Sequence, residues 1–96
     1  MRRSRTQTLK EVLNDLISEY RIGQRLKEAS LINQWNTYTG KAISSRTTRI
    51  YIKDSLLHVY ISSSVVRNEL MMLREALRER LNSEAGEEVI KEVVIH

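Results

Sequence analysis

The run TTRIYIKDSLLHVYIS, residues 47–62, alternates apolar and polar side chains on both sides of Asp54-Ser55. Alternation with period 2 sends successive side chains to opposite faces, so a run of this kind is half-buried strand. Asp54-Ser55 supplies a two-residue turn, a weaker one than Asn-Gly or Asp-Gly. With that turn, Lys53 faces Leu56, Ile52 faces Leu57, Tyr51 faces His58, Ile50 faces Val59 and Arg49 faces Tyr60. One face then carries Ile50, Ile52, Leu57, Val59 and Ile61; the other carries Arg49, Tyr51, Lys53, His58 and Tyr60. A slip of one residue would scatter the apolar set, which is why this register is preferred.

The flanking segments read as the helices that cover the apolar face. Thr8 caps a first helix, with Glu11 at the capping-box position. Leu9, Val12, Leu13, Leu16, Ile17 and Tyr20 fall on one side of it, and Gly23 is a natural stop. A second helix is expected from Gln24 to Tyr38. In it Leu31, Trp35, Tyr38 and Ala42 recur at core spacing beside Leu26, Ala29 and Ile32, until Gly40 interrupts. Trp35 reads as core. A third helix is expected from Ser64 to Ser83, with Val66, Leu70, Leu73, Leu77 and Leu81 as its buried stripe. Arg67, Met71, Arg74 and Arg78 lie beside that stripe, near Glu75 and Glu79. One of Ser62, Ser63 and Ser64 caps this helix; a bound anion there is the lesser reading. Gly86 ends it, and EVIKEVVIH closes the chain as a strand of about seven residues. The order is α-α-β-β-α-β. It implies an α+β two-layer sandwich, a three-stranded sheet with helices on one face.

The chain has 96 residues, enough for one domain. Residues 1–7 read as a flexible basic arm and residues 8–96 as a single domain. No stretch approaches the run of about 18 apolar residues that a membrane helix needs. The start, MRRSRTQTLKEV, has no signal-peptide apolar region, and cysteine is absent. A cytoplasmic protein with no membrane partner is expected. Charge is uneven: residues 1–53 hold eleven Lys/Arg against four Asp/Glu, +7, and residues 54–96 hold five against eight, −3. A clustered basic half suits a polyanion.

Catalytic signals are thin. His58 and His96 are far apart in the sequence, and neither has a carboxylate at metal-ligand spacing. The glutamates of EAGEEVIKE suit a solvated strand entry, and no phosphate-binding glycine loop occurs. No enzyme activity, cofactor, metal or small-molecule substrate is expected. The candidate nucleic-acid contacts are Arg2, Arg3, Arg5, Lys10, Lys41 and Arg46, with Arg49, Tyr51, Lys53, His58 and Tyr60 of the open sheet face. Cations track phosphates and rings stack on bases. The plainer reading of the same face is that Tyr and basic residues suit any exposed pleat. The alternative function is a protein-interaction adaptor that does not bind nucleic acid, using the Arg/Met stripe of the third helix or the acidic C-terminal segment.

One longer pattern covers nearly the whole chain. Trp35 is followed by Gly40, a small helix, Thr47 and a hairpin whose second strand reads LLHVYISSS. A helix with Leu70, Leu73, Leu77 and Leu81 comes next, then Asn82, Gly86 and a last strand. In this order and spacing, residues 8–95 resemble the bacterial DciA-type family, first catalogued as a domain of unknown function. The resemblance implies a KH-like fold and a role at the start of DNA replication, assisting loading of the ring-shaped replicative helicase. It implies DNA and the helicase as partners, and no catalysis. Phosphate contacts would dominate the binding, so single- or double-stranded DNA would be bound without sequence preference. Val65 and Val66 stand where family members often carry an aromatic residue. No GxxG occurs, so the backbone clamp of true KH domains is missing.

Overall fold

The computed structural model describes residues 8–96, so the arm at residues 1–7, with Arg2, Arg3 and Arg5, lies outside the described residues. The elements are α1 Leu9–Asn33, α2 Trp35–Thr39, α3 Lys41–Ser44, β1 Thr47–Lys53, β2 Leu56–Ile61, α4 Ser64–Met72, α5 Arg74–Ala85 and β3 Glu92–Ile95. The architecture is α+β, as expected, with more helices than the expected order contained.

The hairpin has the register that its alternation demands: Arg49↔Tyr60, Ile50↔Val59, Tyr51↔His58, Ile52↔Leu57 and Lys53↔Leu56. Asp54 and Ser55 both take positive φ, 52° and 66°, the conformation of a tight hairpin turn. β3 runs parallel to β2 on its other side, pairing Leu57 with Val93 and Val59 with Ile95, and gives the order β1-β2-β3. It is four residues long rather than seven, because Val89 and Ile90 turn inward before it begins. Leu57, Val59, Ile61 and Val93 of the sheet meet Leu31, Trp35, Leu70, Leu77, Leu81, Val89 and Ile90 in one buried cluster.

Three helical expectations need correction. The first concerns Gly23, which does not end a helix: α1 runs unbroken from Leu9 to Asn33. Glycine costs an exposed helix only about 1 kcal/mol, and good helix formers continue on both sides. The stops are Gly40 and Gly86, whose φ values of 85° and 80° favour residues without Cβ. The second concerns the end of α1. The chain bends at Gln34, so Trp35, Tyr38 and Ala42 sit on two short helices rather than on one long one. The third concerns Leu73, expected in the buried stripe. It is the junction between α4 and α5, with φ −100° and ψ 7°, and is 53% exposed.

The capping box at Thr8 forms as expected: Thr8 Oγ1 accepts from the Glu11 amide at 3.1 Å. The face it introduces does not pack as expected. From Thr8 to Ile22 every residue is exposed, and Leu26 is exposed too. Amphipathic spacing states that one side of a helix is apolar; it does not state that the same chain covers it. α1 is anchored by its later part. Leu31 is buried, Lys27 Nζ meets Glu87 at 2.8 Å, and Gln24 hydrogen-bonds the same carboxylate. These two partners hold the Glu87 carboxyl below its ordinary pKa. The molecule is accordingly elongated, 61 × 21 × 20 Å.

A Cβ added at Gly23 meets nothing within 4 Å, and its φ is not positive. Gly23→Ala is therefore expected to strengthen α1 by about 0.5–1 kcal/mol. Amide exchange at Leu13–Tyr20 should slow by about two- to fivefold. No slowing would show that α1 opens by a route that does not pass through Gly23.

Candidate nucleic-acid interface

The outer face of the sheet gathers four rings and a guanidinium. Tyr51 of β1 stacks on His58 of β2, with centroids 4.8 Å apart and planes 13° apart. Tyr51 and Tyr60 lie 6.3 Å apart on the diagonal. His96, just after β3, stacks on Tyr60 at 4.2 Å and on His58 at 5.4 Å. Nδ1 of His58 and Nε2 of His96 approach to 3.1 Å, one donating and the other accepting. The Arg49 guanidinium sits 4.7 Å from the Tyr51 ring centre and 5.7 Å from that of Tyr60. The hydrogen bond with Tyr51 raises the Tyr60 phenol above its ordinary pKa, with partial burial adding to the effect and Arg49 opposing it. Tyr60 is thus neutral throughout the physiological range.

Cross-strand neighbours stand about 4.8 Å apart, so near-parallel rings at 4.2–5.4 Å turn their faces toward one another across the strands. Their edges and the outermost faces remain for a ligand. Arg49 covers Tyr51. His96 is exposed and stands on the last strand of the sheet.

His96 is the member that sequence reasoning missed. The two histidines are 38 residues apart, and only the parallel pairing of β3 with β2 joins them. Two side chains set that pairing. Arg67 of α4 donates from Nη2 to the Ile61 carbonyl at 3.0 Å and from Nε to the His96 carbonyl at 3.2 Å. It is therefore engaged at the strand ends rather than with Glu75 or Glu79. Asn82 of α5 accepts from the amides of Val89 and Ile90 at 3.0 and 2.8 Å and donates to the Ile90 carbonyl at 2.8 Å. That fixes the approach to β3. The one signal for His96 in the sequence was parity: counting by twos along EVVIH puts it on the face opposite Val93 and Ile95.

Of the other candidate residues, Lys53 lies on the same sheet face at the hairpin end. Lys10 is on the exposed front of α1, Lys41 on α3, and Arg46 at the entry to β1; all three are exposed and none belongs to the stack. Two of the three serines are engaged with backbone. Ser63 caps α4, its Oγ accepting from the Val66 amide at 3.3 Å, and Ser62 Oγ donates to the Arg46 carbonyl at 3.2 Å. Among the described residues no group of three or more His, Cys, Asp or Glu could hold a metal ion, and no helix is long and apolar enough to cross a membrane.

A family model described as "Dna[CI] antecedent, DciA" matches residues 8–95. The chain belongs to the DciA family. Membership implies a role related to loading of the replicative helicase. Comparison with curated proteins and with solved structures finds no match. Two positions of the family pattern have clear structural roles here: Asn82 binds the segment before β3, and Gly86 supplies the left-handed end of α5.

Proposed function

We propose that this DciA-family chain is a non-catalytic DNA-binding accessory protein that assists recruitment or loading of the replicative helicase, and that the outer sheet face receives the DNA. The observation that carries this reading is the stack of Tyr51, His58, Tyr60 and His96 under Arg49 on a face that no described element covers. A packed row of rings is a rigid, preorganised platform, and every base has a π-face that can meet its open end. Arg49 and Lys53 beside it suit phosphates. With rings meeting base faces and cations meeting phosphates, affinity should depend on salt more than on sequence. Stacking on the sheet face would take the place of the missing GxxG clamp.

Fluorescence anisotropy with labelled single- and double-stranded DNA across a salt series tests this. His96→Ala, which removes the ring at the open end of the stack, is expected to weaken binding by about 1–3 kcal/mol, roughly 5- to 150-fold. Arg49→Ala should lower the salt slope by about one. Unchanged affinity in both variants would remove this face from the reading.

One observation favours the adaptor alternative. Tyr38, Ile43, Leu70, Leu73, Leu77 and Arg80 line an apolar groove beside the α4–α5 junction, and Met72 next to it is 81% exposed. A helicase captured after nuclease treatment, and lost on Met72→Glu, would assign the helicase contact to that groove.

A further inference from the structure

We infer that the exposed apolar face of α1 is a self-association surface, on which a second copy of this chain lays its own α1 antiparallel. The face is formed by Leu9, Val12, Leu13, Leu16, Ile17 and Tyr20, with exposures from 37% to 75%. At roughly 200 Å² for a fully open large side chain, those exposures amount to roughly 650 Å² of surface per chain. Apolar patches beyond a few hundred Å² are uncommon on a lone soluble protein. Two such faces together would cover roughly 1,300 Å², within the range of specific interfaces and at its low end.

The pattern is self-complementary. Leu9, Leu13, Leu16 and Tyr20 recur at i, i+4, i+7 and i+11, the seam of a paired helix. With Leu13 facing Leu16 of the second copy, Leu9 faces its Tyr20, and the two reciprocal contacts complete four layers without a polar residue. Val12 and Ile17 widen the seam on its two flanks. Direction follows from shape. From Gln24 onward α1 is tied to the body through Glu87, and Leu31 is buried. A parallel pair would bring both bodies to one end of the seam. An antiparallel pair puts them at opposite ends, and the open front of the helix, Leu9 to Ile22, is long enough for the four layers. The sheet face that carries the ring stack belongs to neither seam, so the dimer presents two such faces.

Sedimentation of the whole chain over about 1–300 μM tests the proposal, because a seam at the low end of interface size gives dissociation constants in the micromolar region. The mass is expected to rise from 11.2 kDa toward twice that value. Leu16→Glu should hold it at the monomer value throughout, with the near-ultraviolet signal of Trp35 unchanged as proof that the body is folded. A wild-type chain that stays monomeric overturns the proposal and leaves the face to a partner of another kind. Doubling that survives Leu16→Glu overturns it too, since the contact then lies elsewhere. Orientation is read separately. The chain contains no cysteine, so a mixture of Leu13→Cys and Leu16→Cys chains should cross-link several-fold faster than either variant alone. Faster self-cross-linking of each variant would overturn the antiparallel register.

Discussion

Trp35→Ala is expected to lower the unfolding free energy by about 3–5 kcal/mol. Trp35 is 5% exposed and fills the space between the helical layer and the sheet. Its Nε1 donates to Thr47 Oγ1 at 3.0 Å, and that hydroxyl donates in turn to the Ile43 carbonyl at 2.9 Å. One ring thus joins α2, α3 and β1. Truncation leaves a cavity and an unmet partner at once. A chain of this size has little stability to lose, so urea melting should show a large fall in midpoint or no folded baseline. A fall below about 1 kcal/mol would mean that the helical layer collapses onto the space.

Asn82→Ala is expected to cost about 2–4 kcal/mol, because it removes the side-chain partner of three backbone groups at the buried Val89 and Ile90; of the three, the Val89 amide keeps a second bond, to the Glu87 carbonyl at 2.9 Å. The loss should not be spread evenly. β3 is short and docks only after this segment has turned, so its amides should exchange faster than those of the β1–β2 hairpin. The Asp variant separates the two sides of the network. It keeps the acceptor for both amides and loses the donor to the Ile90 carbonyl. Its stability is expected to fall between alanine and wild type; equality with alanine would show that the Ile90 carbonyl contact dominates.

From Arg49 to Tyr60 the hairpin was legible in the sequence, since alternation, turn and register all agree at Asp54-Ser55 and any slip exposes Ile50, Ile52 and Val59 together; the register shift between Thr47 and Arg49 was not. The cap at Thr8, a serine cap within residues 62–64 and the stop at Gly86 were legible for a similar reason: each is a local hydrogen-bonding or φ preference. The bends at Gln34 and Leu73 were not, since neither position carries Gly or Pro. They come from tertiary fit, which propensity does not record. Gly23 misled in the opposite direction, as a weak preference that a long helix overrides. The open face of α1 was visible as apolar periodicity but read as core, because periodicity is silent on which molecule supplies the cover. At the site, Arg49, Tyr51, His58 and Tyr60 followed from hairpin parity. His96 did not, since it joins them only through a parallel pairing set by Arg67 and Asn82, two polar side chains whose backbone partners lie far along the chain or in the loop before β3.

The most direct test of the account is amide and side-chain NMR of the labelled chain titrated with short single-stranded DNA. The largest shifts are expected at Arg49, Tyr51, His58, Tyr60 and His96, with the ring protons of His96 among the most perturbed. Shifts centred on α4 and α5, or none at low salt, would contradict the assignment of DNA to the outer face of the sheet.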